Sequence, residues 1–404
     1  MAPHSEQASA IGPEVSGPGF DPTRFARALL GYLLPVESRH PRAWDLLGAE
    51  KGRAQVTTLC ERGIDVTADM DLVVKSVEPE HSYRNLADLT GRTRREAFRV
   101  TNRPALIHPT GWITTRRWRL DERSIIDYNL RSRPGLRRAL ALRAAAPRSP
   151  RLHTAVSLRT FGEANYYHAL HDVIGGPMRL ADENGVDRGT PLIISERLAA
   201  APFFRDLVKL PSLADRNWFT QRIHSFVRVD NLYFGETARF AREPADYLRT
   251  LLAVPDSDRH SSDRIFITRD PAAGRSLTNY DEISAICKRY GFRMIDPGTR
   301  TLAEQIEIFS HAGCVASIHG AGLYNIIFRK NAPLQVLEIF PNLPVEPAFF
   351  FLCRFYGFGY HAIIGNSPLP WVQPHRNPFW LDPDTLAARL EDMVEADPSP
   401  RVTV

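Results

Sequence analysis

The chain has 404 residues, of which 43% are hydrophobic and 24% charged; this composition excludes a fibrous or wholly disordered protein and allows two domains with their own cores. Net charge is +5, and nearly all of the 51 basic residues are arginine. That suits phosphate-bearing ligands, and a genomic preference for arginine codons explains it equally well. Cys60, Cys287, Cys314 and Cys353 are far apart and form no CxxC or Cys/His spacing, which excludes a zinc-ribbon type of protein and fits reduced thiols in a cytosolic one. No apolar run is long enough to span a bilayer, the best being short pieces such as residues 348–353.

Residues 1–20 lack a basic start and an apolar core, so they read as a flexible tail and not a signal peptide. An amphipathic helix is predicted over 21–35, with Asp21 at its N-cap, Pro22 first inside and Pro35 ending it. Between 40 and 150 short alternating runs (53–59, 71–76, 105–113) predict small strands among loops. Basic clusters at 92–99, 116–119 and 131–143 lack interleaved aromatics, so a solvated face or a patch for anionic lipid is expected, and no nucleic acid. Asp69-Met70-Asp71 has the form that holds a divalent cation in single-domain transferases. The same form recurs at Asp256-Ser257-Asp258 and Asp382-Pro383-Asp384, and none follows a core strand, so no metal site is assigned.

A strand closing at 157–160 leads to Asn165-Tyr166-Tyr167-His168-Ala169-Leu170-His171-Asp172, a helix with Asn165 as N-cap, interrupted by Gly175, Gly176 and Pro177. The i,i+4 spacing puts His168 and Asp172 on one face, where a carboxylate beside an imidazole makes a general base; either residue can serve, and a capping network without chemistry has the same pattern. Strands at 191–195, 223–229 and 231–234, with helical sequence between 196 and 213, complete a first α/β unit. The polar, turn-rich stretch 255–263 reads as a linker.

Regular alternation follows: strand 264–269, helix 279–290, strand 292–296, helix 302–311, strand 314–318, a glycine turn His319-Gly320-Ala321-Gly322, helix 323–328, strand 334–340, a further strand at 358–365 and a final helix at 383–395 expected to cross back to the first unit. Such alternation predicts a parallel sheet with helices on both faces. Glycines where a strand passes to a helix bring backbone N–H groups to the carboxyl end of the sheet, which is a phosphate site; His319 can donate to a phosphate oxygen, and Arg269 and Arg275 would lie on the same edge. Glu338, ending its strand, can accept from ribose hydroxyls or pair with an arginine.

His319-Gly320-Ala321-Gly322-Leu323 with Asn325, Phe328 and Glu338-Ile339-Phe340-Pro341 resembles the signature of the family 61 glycosyltransferases. The Asn165–His168 stretch with Asp172, the strand at 264–269, Arg275, Asn279, Asp281-Glu282 and Glu304-Gln305 also resemble that family. Those enzymes usually have Thr where Tyr324 stands, a bulkier residue beside the turn, and an acid where Tyr280 stands. The resemblance covers about 151–341 and implies an α/β, GT-B-like architecture: two Rossmann-like domains facing across a cleft, with an irregular N-terminal extension. The expected divisions are a tail at 1–20, an acceptor-side domain at 21–254, the linker at 255–263, a donor domain at 264–365, and a tail and helix at 366–404. It implies an inverting transfer from a nucleotide sugar, a uridine diphosphate sugar being expected, to a glycan or polysaccharide hydroxyl, without a required cofactor or metal. His319, Gly320, Gly322, Arg269 and Arg275 would hold the diphosphate, Glu338 the ribose, and His168 or Asp172 would be the base. Ala321, Leu323, Asn325, Asn279 and Glu304 are further donor-side family positions. A cytoplasmic enzyme docked on the inner face of a membrane is expected. A glycan- or nucleotide-binding relative without turnover, and an arginine-rich nucleic-acid binder, are the rival readings; a dehydrogenase would need a GxGxxG turn, which this chain lacks.

Overall fold

The computed structural model describes residues 56–64, 94–101, 103–111, 113–115, 119–120, 149–160, 162–236, 241–259, 261–268, 275–341, 348–367 and 378–396. The expected N-terminal tail and helix, the strand at 71–76, the Asp69–Asp71 triplet, the basic cluster at 131–143 and Arg269 lie outside these residues.

The first sheet is built from β1 (Val56–Ile64), β2 (Arg94–Thr101), β3 (Ala105–Ile107), β4 (Ile113–Thr115), β5 (Arg119–Leu120), β6 (Arg151–Ser157), β7 (Leu192–Ser195), β8 (Trp218–Gln221) and β9 (Val227–Glu236). Its centre is four parallel strands in the order β8-β7-β6-β9. β2 and β3 add to β9 in antiparallel fashion, β1 pairs with β2, and β4 and β5 continue from β3. Alternation along the strands explains the burial: Ile193 joins Ala155, Val227, Val229 and Ile107 on one face, while Leu192 and Ile194 join Val156 on the other. Helices α1 (Tyr166–His168) and α2 (Arg179–Glu183), α3 (Glu196–Ala200), α4 (Pro202–Leu207) and α5 (Glu243–Leu251) come from this half.

Here the sequence reading needs adjustment in two places. The two strands expected at 223–229 and 231–234 are one, β9, and Ile223 lies in the turn before it. Only Asp230 separates the two expected strands, and it pairs bidentately with Arg151 of the adjacent β6 (3.0 Å). The helix is interrupted at the glycines as expected, but its turns differ: α1 passes into wider π-type turns over Ala169–Met178, leaves helical torsions at Gly176 (φ −100°, ψ −109°) and resumes as α2. Arg179, 1% exposed, fastens this kinked segment by donating to Gly175 O (2.7 Å) and Glu183 (2.8 Å) and by a fully buried ion pair with Glu96 of β2.

The second sheet is the five parallel strands expected: β10 (Asp263–Ile267), β11 (Phe292–Ile295), β12 (Ala312–Ile318), β13 (Gln335–Phe340) and β14 (Gly359–Ile364), in the order β11-β10-β12-β13-β14. Helix α6 (Tyr280–Arg289) and the final helix α9 (Pro383–Ala396) cover one face, burying Ile283, Cys287, Leu386, Leu390 and Met393 against Phe266, Ala316, Leu337 and Ile339. So α9 does not cross back to the first sheet; its apolar stripe is used up on β13, β14 and α6. The other face carries α7 (Leu302–Ser310), a 3₁₀ helix at Ala321–Phe328 where an α-helix was expected, and α8 (Ala348–Tyr356). The apolar run at 348–353 is the buried core of α8, which at nine residues is about 14 Å long. Among the described residues no helix is long and apolar enough to cross a membrane.

One apolar cluster joins the halves, since Val156, Leu192 and Val173 share it with Val315, Val336, Leu323 and Phe349. Arg249 of α5 strengthens the seam: it donates to Ile327 O (2.7 Å) and Arg329 O (2.8 Å), and its guanidinium lies 3.5 Å from the centre of the Tyr356 ring of α8.

Candidate functional site at the carboxyl ends of the two sheets

Parallel α/β sheets bind ligands outside the carboxyl ends of the strands, where the chain reverses its direction of winding. In the first sheet the chain runs outward through β6, β7 and β8 and then returns to β9 on the other side of β6. That reversal lies beside the end of β6, and the segment leaving β6 leads into the helix that carries His168 and Asp172. Asn165 caps it, accepting from Tyr167 N (3.0 Å) as expected. His168 Nδ1 lies 2.7 Å from Asp172 Oδ2, and both side chains are partly exposed. With the Nδ1 proton given to Asp172, Nε2 is left as a proton acceptor.

The turn before this helix fixes the imidazole from the other side. Gly162 has φ +71°, and a Cβ there would lie 2.9 Å from His168 Cδ2, too close for any side chain. The turn is itself held by a buried ion pair, Arg159 to Glu163 (3.0 Å), with Arg159 also donating to Pro109 O (2.7 Å) and to Gln221.

In the second sheet the chain passes from β10 to β11 and then to β12 on the other side of β10, so the reversal lies between β10 and β12. The glycine turn begins at the end of β12. His319 N donates to Ile339 O (2.8 Å), and Arg275 Nη1 donates to His319 O. Arg275 has φ +55°, a conformation few side chains adopt, and such strain concentrates at functional sites. A Cβ at Gly322 would meet only ordinary contacts, 3.4 Å from Ile267 Cγ2 and 3.6 Å from Pro297 Cγ, so the protein's own packing does not demand a glycine there. A ligand approaching the main chain would. His319 Nδ1 lies 2.5 Å from Glu338 Oε1, and Glu338 Oε2 accepts from the Tyr360 hydroxyl (2.7 Å).

The two edges meet. Tyr166 Oη donates to Asn325 Oδ1 (2.6 Å), and Asn325 Nδ2 donates to Gln305 Oε1 of α7 (2.8 Å). Tyr167 packs edge-on to His168, Tyr324 and Phe349, and Phe349 in turn contacts the His319 ring (5.8 Å between centroids). The His168–Asp172 and His319–Glu338 pairs are thus separated by two aromatic rings. His171 stacks on Tyr167 (5.1 Å, 15°) and its Nδ1 lies 2.9 Å from the Tyr324 hydroxyl. Burial lowers the His171 pKa to about 4, so the ring is neutral near pH 7.

Several donor-side expectations change on this geometry. Glu338 has no exposed surface and spends both oxygens on His319 and Tyr360, which does not fit the expected bonds to a ribose. Leu323 and Asn325 are wholly buried; they shape the turn and lock it to Tyr166 without facing a ligand. Tyr324 is buried and points inward to His171. Glu304 closes a capping box with Thr301 at the start of α7, and the Thr301 backbone N–H it accepts from lowers its pKa. Asn279 is spent on Glu282 (3.0 Å) and on both backbone groups of Leu381 (2.9 and 3.2 Å). His319, Gly320, Ala321, Gly322 and Arg275 come together on the β10/β12 edge. Sequence reasoning missed Gly162 and Tyr360. Nothing local marks Tyr360; only the neighbouring places of β13 and β14 in the sheet bring it to Glu338. Among the described residues no group of three or more His, Cys, Asp and Glu side chains is placed to hold a metal ion.

Two α/β sheets thus meet at the carboxyl ends of their parallel strands, one carrying a His–carboxylate pair and the other a glycine turn flanked by His319 and Arg275. Residues 166–335, a span that contains His168, Asp172, Arg275 and the 319–322 turn, match the model of the family Glycosyltransferase 61. That match supports a glycosyltransferase, with a nucleotide-sugar donor and a glycan acceptor as its general partners. No curated protein matches the chain.

Proposed function

We propose that the protein is an inverting glycosyltransferase of GT-B-like design, moving a sugar from a nucleoside diphosphate donor, uridine diphosphate sugar being the first choice, to a hydroxyl of a glycan or polysaccharide. One observation carries the reading: two His–carboxylate pairs at the carboxyl ends of the parallel strands of two sheets, two aromatic rings apart, with His168, Asp172 and His319 inside the span that matches the family and Glu338 just beyond it. The acceptor hydroxyl attacks the anomeric carbon while His168 Nε2 takes its proton, with Asp172 fixing the ring through Nδ1. The bond from the anomeric carbon to the diphosphate oxygen breaks with its electron pair on the leaving group. The charge that builds there is met by the N–H groups of residues 320–322, His319 and Arg275, which do the work a divalent cation performs in other transferases. Arg269 belongs to the same proposal.

Thermal unfolding with uridine diphosphate, with and without magnesium, tests the donor half. At one hundred times its dissociation constant the ligand stabilises the wild type by about 2.7 kcal/mol, without metal, and His319→Ala shows a much smaller shift. If no nucleoside diphosphate shifts the wild type, the turn is only a tight chain reversal.

A further inference from the structure

We infer that Tyr360 and Glu338 are positioning residues for His319, a buried relay across β14, β13 and β12 that holds the imidazole with Nε2 toward the leaving diphosphate. The inference rests on the donor-site reading above and adds to it the residues that make the site rigid.

Glu338 stands between Leu337 and Ile339, whose side chains fill the α6/α9 face; alternation sends its carboxylate to the opposite face, under α8. There it has no exposure at all, while the His319 side chain keeps 16%. A carboxylate so buried is costly unless every oxygen is bonded and a counter-charge is close. The Tyr360 hydroxyl supplies the bond to Oε2 and His319 Nδ1 the bond to Oε1. Burial, followed by the Glu338 charge, raises the Tyr360 hydroxyl far above its ordinary pKa, so it remains a donor. The ring plane is set separately, by stacking on Phe340 (5.2 Å, 22°). Orientation about Cβ and plane are then both fixed, with Nδ1 turned inward and Nε2 as the edge left for a ligand. A doubly protonated ring would donate Nε2–H to a diphosphate oxygen while the Glu338 charge balances it. Among the described residues, the Arg275 guanidinium, on the His319 carbonyl, and Cys353 of α8, whose thiol burial and Glu338 keep protonated, are close by.

The test uses the full chain as Tyr360→Phe, Glu338→Gln and Glu338→Ala, with uridine diphosphate titrated by calorimetry and the imidazole protons followed by nitrogen-edited NMR. The wild type is expected to show a strongly deshielded imidazole N–H, identified by its loss in His319→Ala. Tyr360→Phe moves that resonance and weakens uridine diphosphate by about tenfold, the loss expected for one hydrogen bond to a charged group. Glu338→Gln, which keeps an acceptor for Nδ1, binds more tightly than Glu338→Ala. A purely structural Tyr360 would lower the unfolding temperature and leave both the resonance and the affinity of the folded protein at their wild-type values, which overturns the inference alone. A wild type that binds no nucleoside diphosphate removes the donor-site reading and the inference with it.

Discussion

His168→Ala is expected to lower the rate of sugar transfer by about 10²–10⁴-fold, the range over which a positioned general base acts, while uridine diphosphate binds as tightly as to the wild type. The expectation comes from the division of the site: His168 and Asp172 belong to the edge of the first sheet, and the diphosphate turn to the edge of the second. Asp172→Asn leaves an amide that still accepts from Nδ1 but no longer balances the imidazolium that forms, so its loss should be smaller than that of His168→Ala. The measurement is release of nucleoside diphosphate in the presence of a working acceptor. Since His168 is partly exposed and takes part in one ion pair, its removal should change stability little. A drop in diphosphate affinity equal to the drop in rate would mean that His168 binds donor and is not the base.

Acidification from about pH 6.5 to pH 4 is expected to destabilise the native state steeply. Burial holds both His108 and His171 at a pKa of about 4, against 6.5 when unfolded. Above pH 6.5 both states are neutral at these rings and stability is flat. Between 6.5 and 4 the unfolded chain binds the protons and the native state does not, so stability falls as the pH falls; below about 4 the native rings are protonated as well. Each histidine accounts for about 3 kcal/mol over that window, an order-of-magnitude figure from a shift of about 2.5 pH units. His361, lowered by burial, acts in the same direction. Glu304 and Asp382, whose carboxyls are held below their usual values by hydrogen bonds with Thr301 and Thr385, also lose stabilisation as the pH falls. Urea unfolding at pH 7 and pH 5 reads the effect, and His171→Gln should flatten it by about half. His171→Gln that leaves the pH dependence intact would show that the ring is not buried neutral.

The second sheet was legible because its strands are short apolar runs, the first three each followed by a helical stretch; α8, between the last two, shows in the sequence only as an apolar run. The parallel order follows from that alternation, and the switch point that places His319 and Arg275 together follows from the order. The helix carrying His168 and Asp172 was legible too, through the Asn165 cap and the i,i+4 spacing. What failed has a common physical cause: sequence shows which residues alternate, not how deep each face lies. Glu338 looks like a ligand residue because it is polar at the end of an apolar run, and Asn325 through the family resemblance, yet both are buried linkers. Tyr324 looks like an obstruction at the pocket, yet its hydroxyl spans the seam to His171. The α9 helix was expected on the first unit and packs on the second, because its apolar stripe alone fits either sheet. Gly162 was silent for another reason, since only the folded turn brings it against His168.

The central claim is that the turn at 319–322 binds a nucleoside diphosphate opposite the His168–Asp172 pair. A crystal structure with bound uridine diphosphate tests it most directly. The account predicts the pyrophosphate on the N–H groups of residues 320–322, with an oxygen within hydrogen-bond distance of His319 Nε2 and the terminal phosphate turned toward His168. A nucleotide seated elsewhere, with the turn empty and His319 Nε2 facing only solvent, would contradict it.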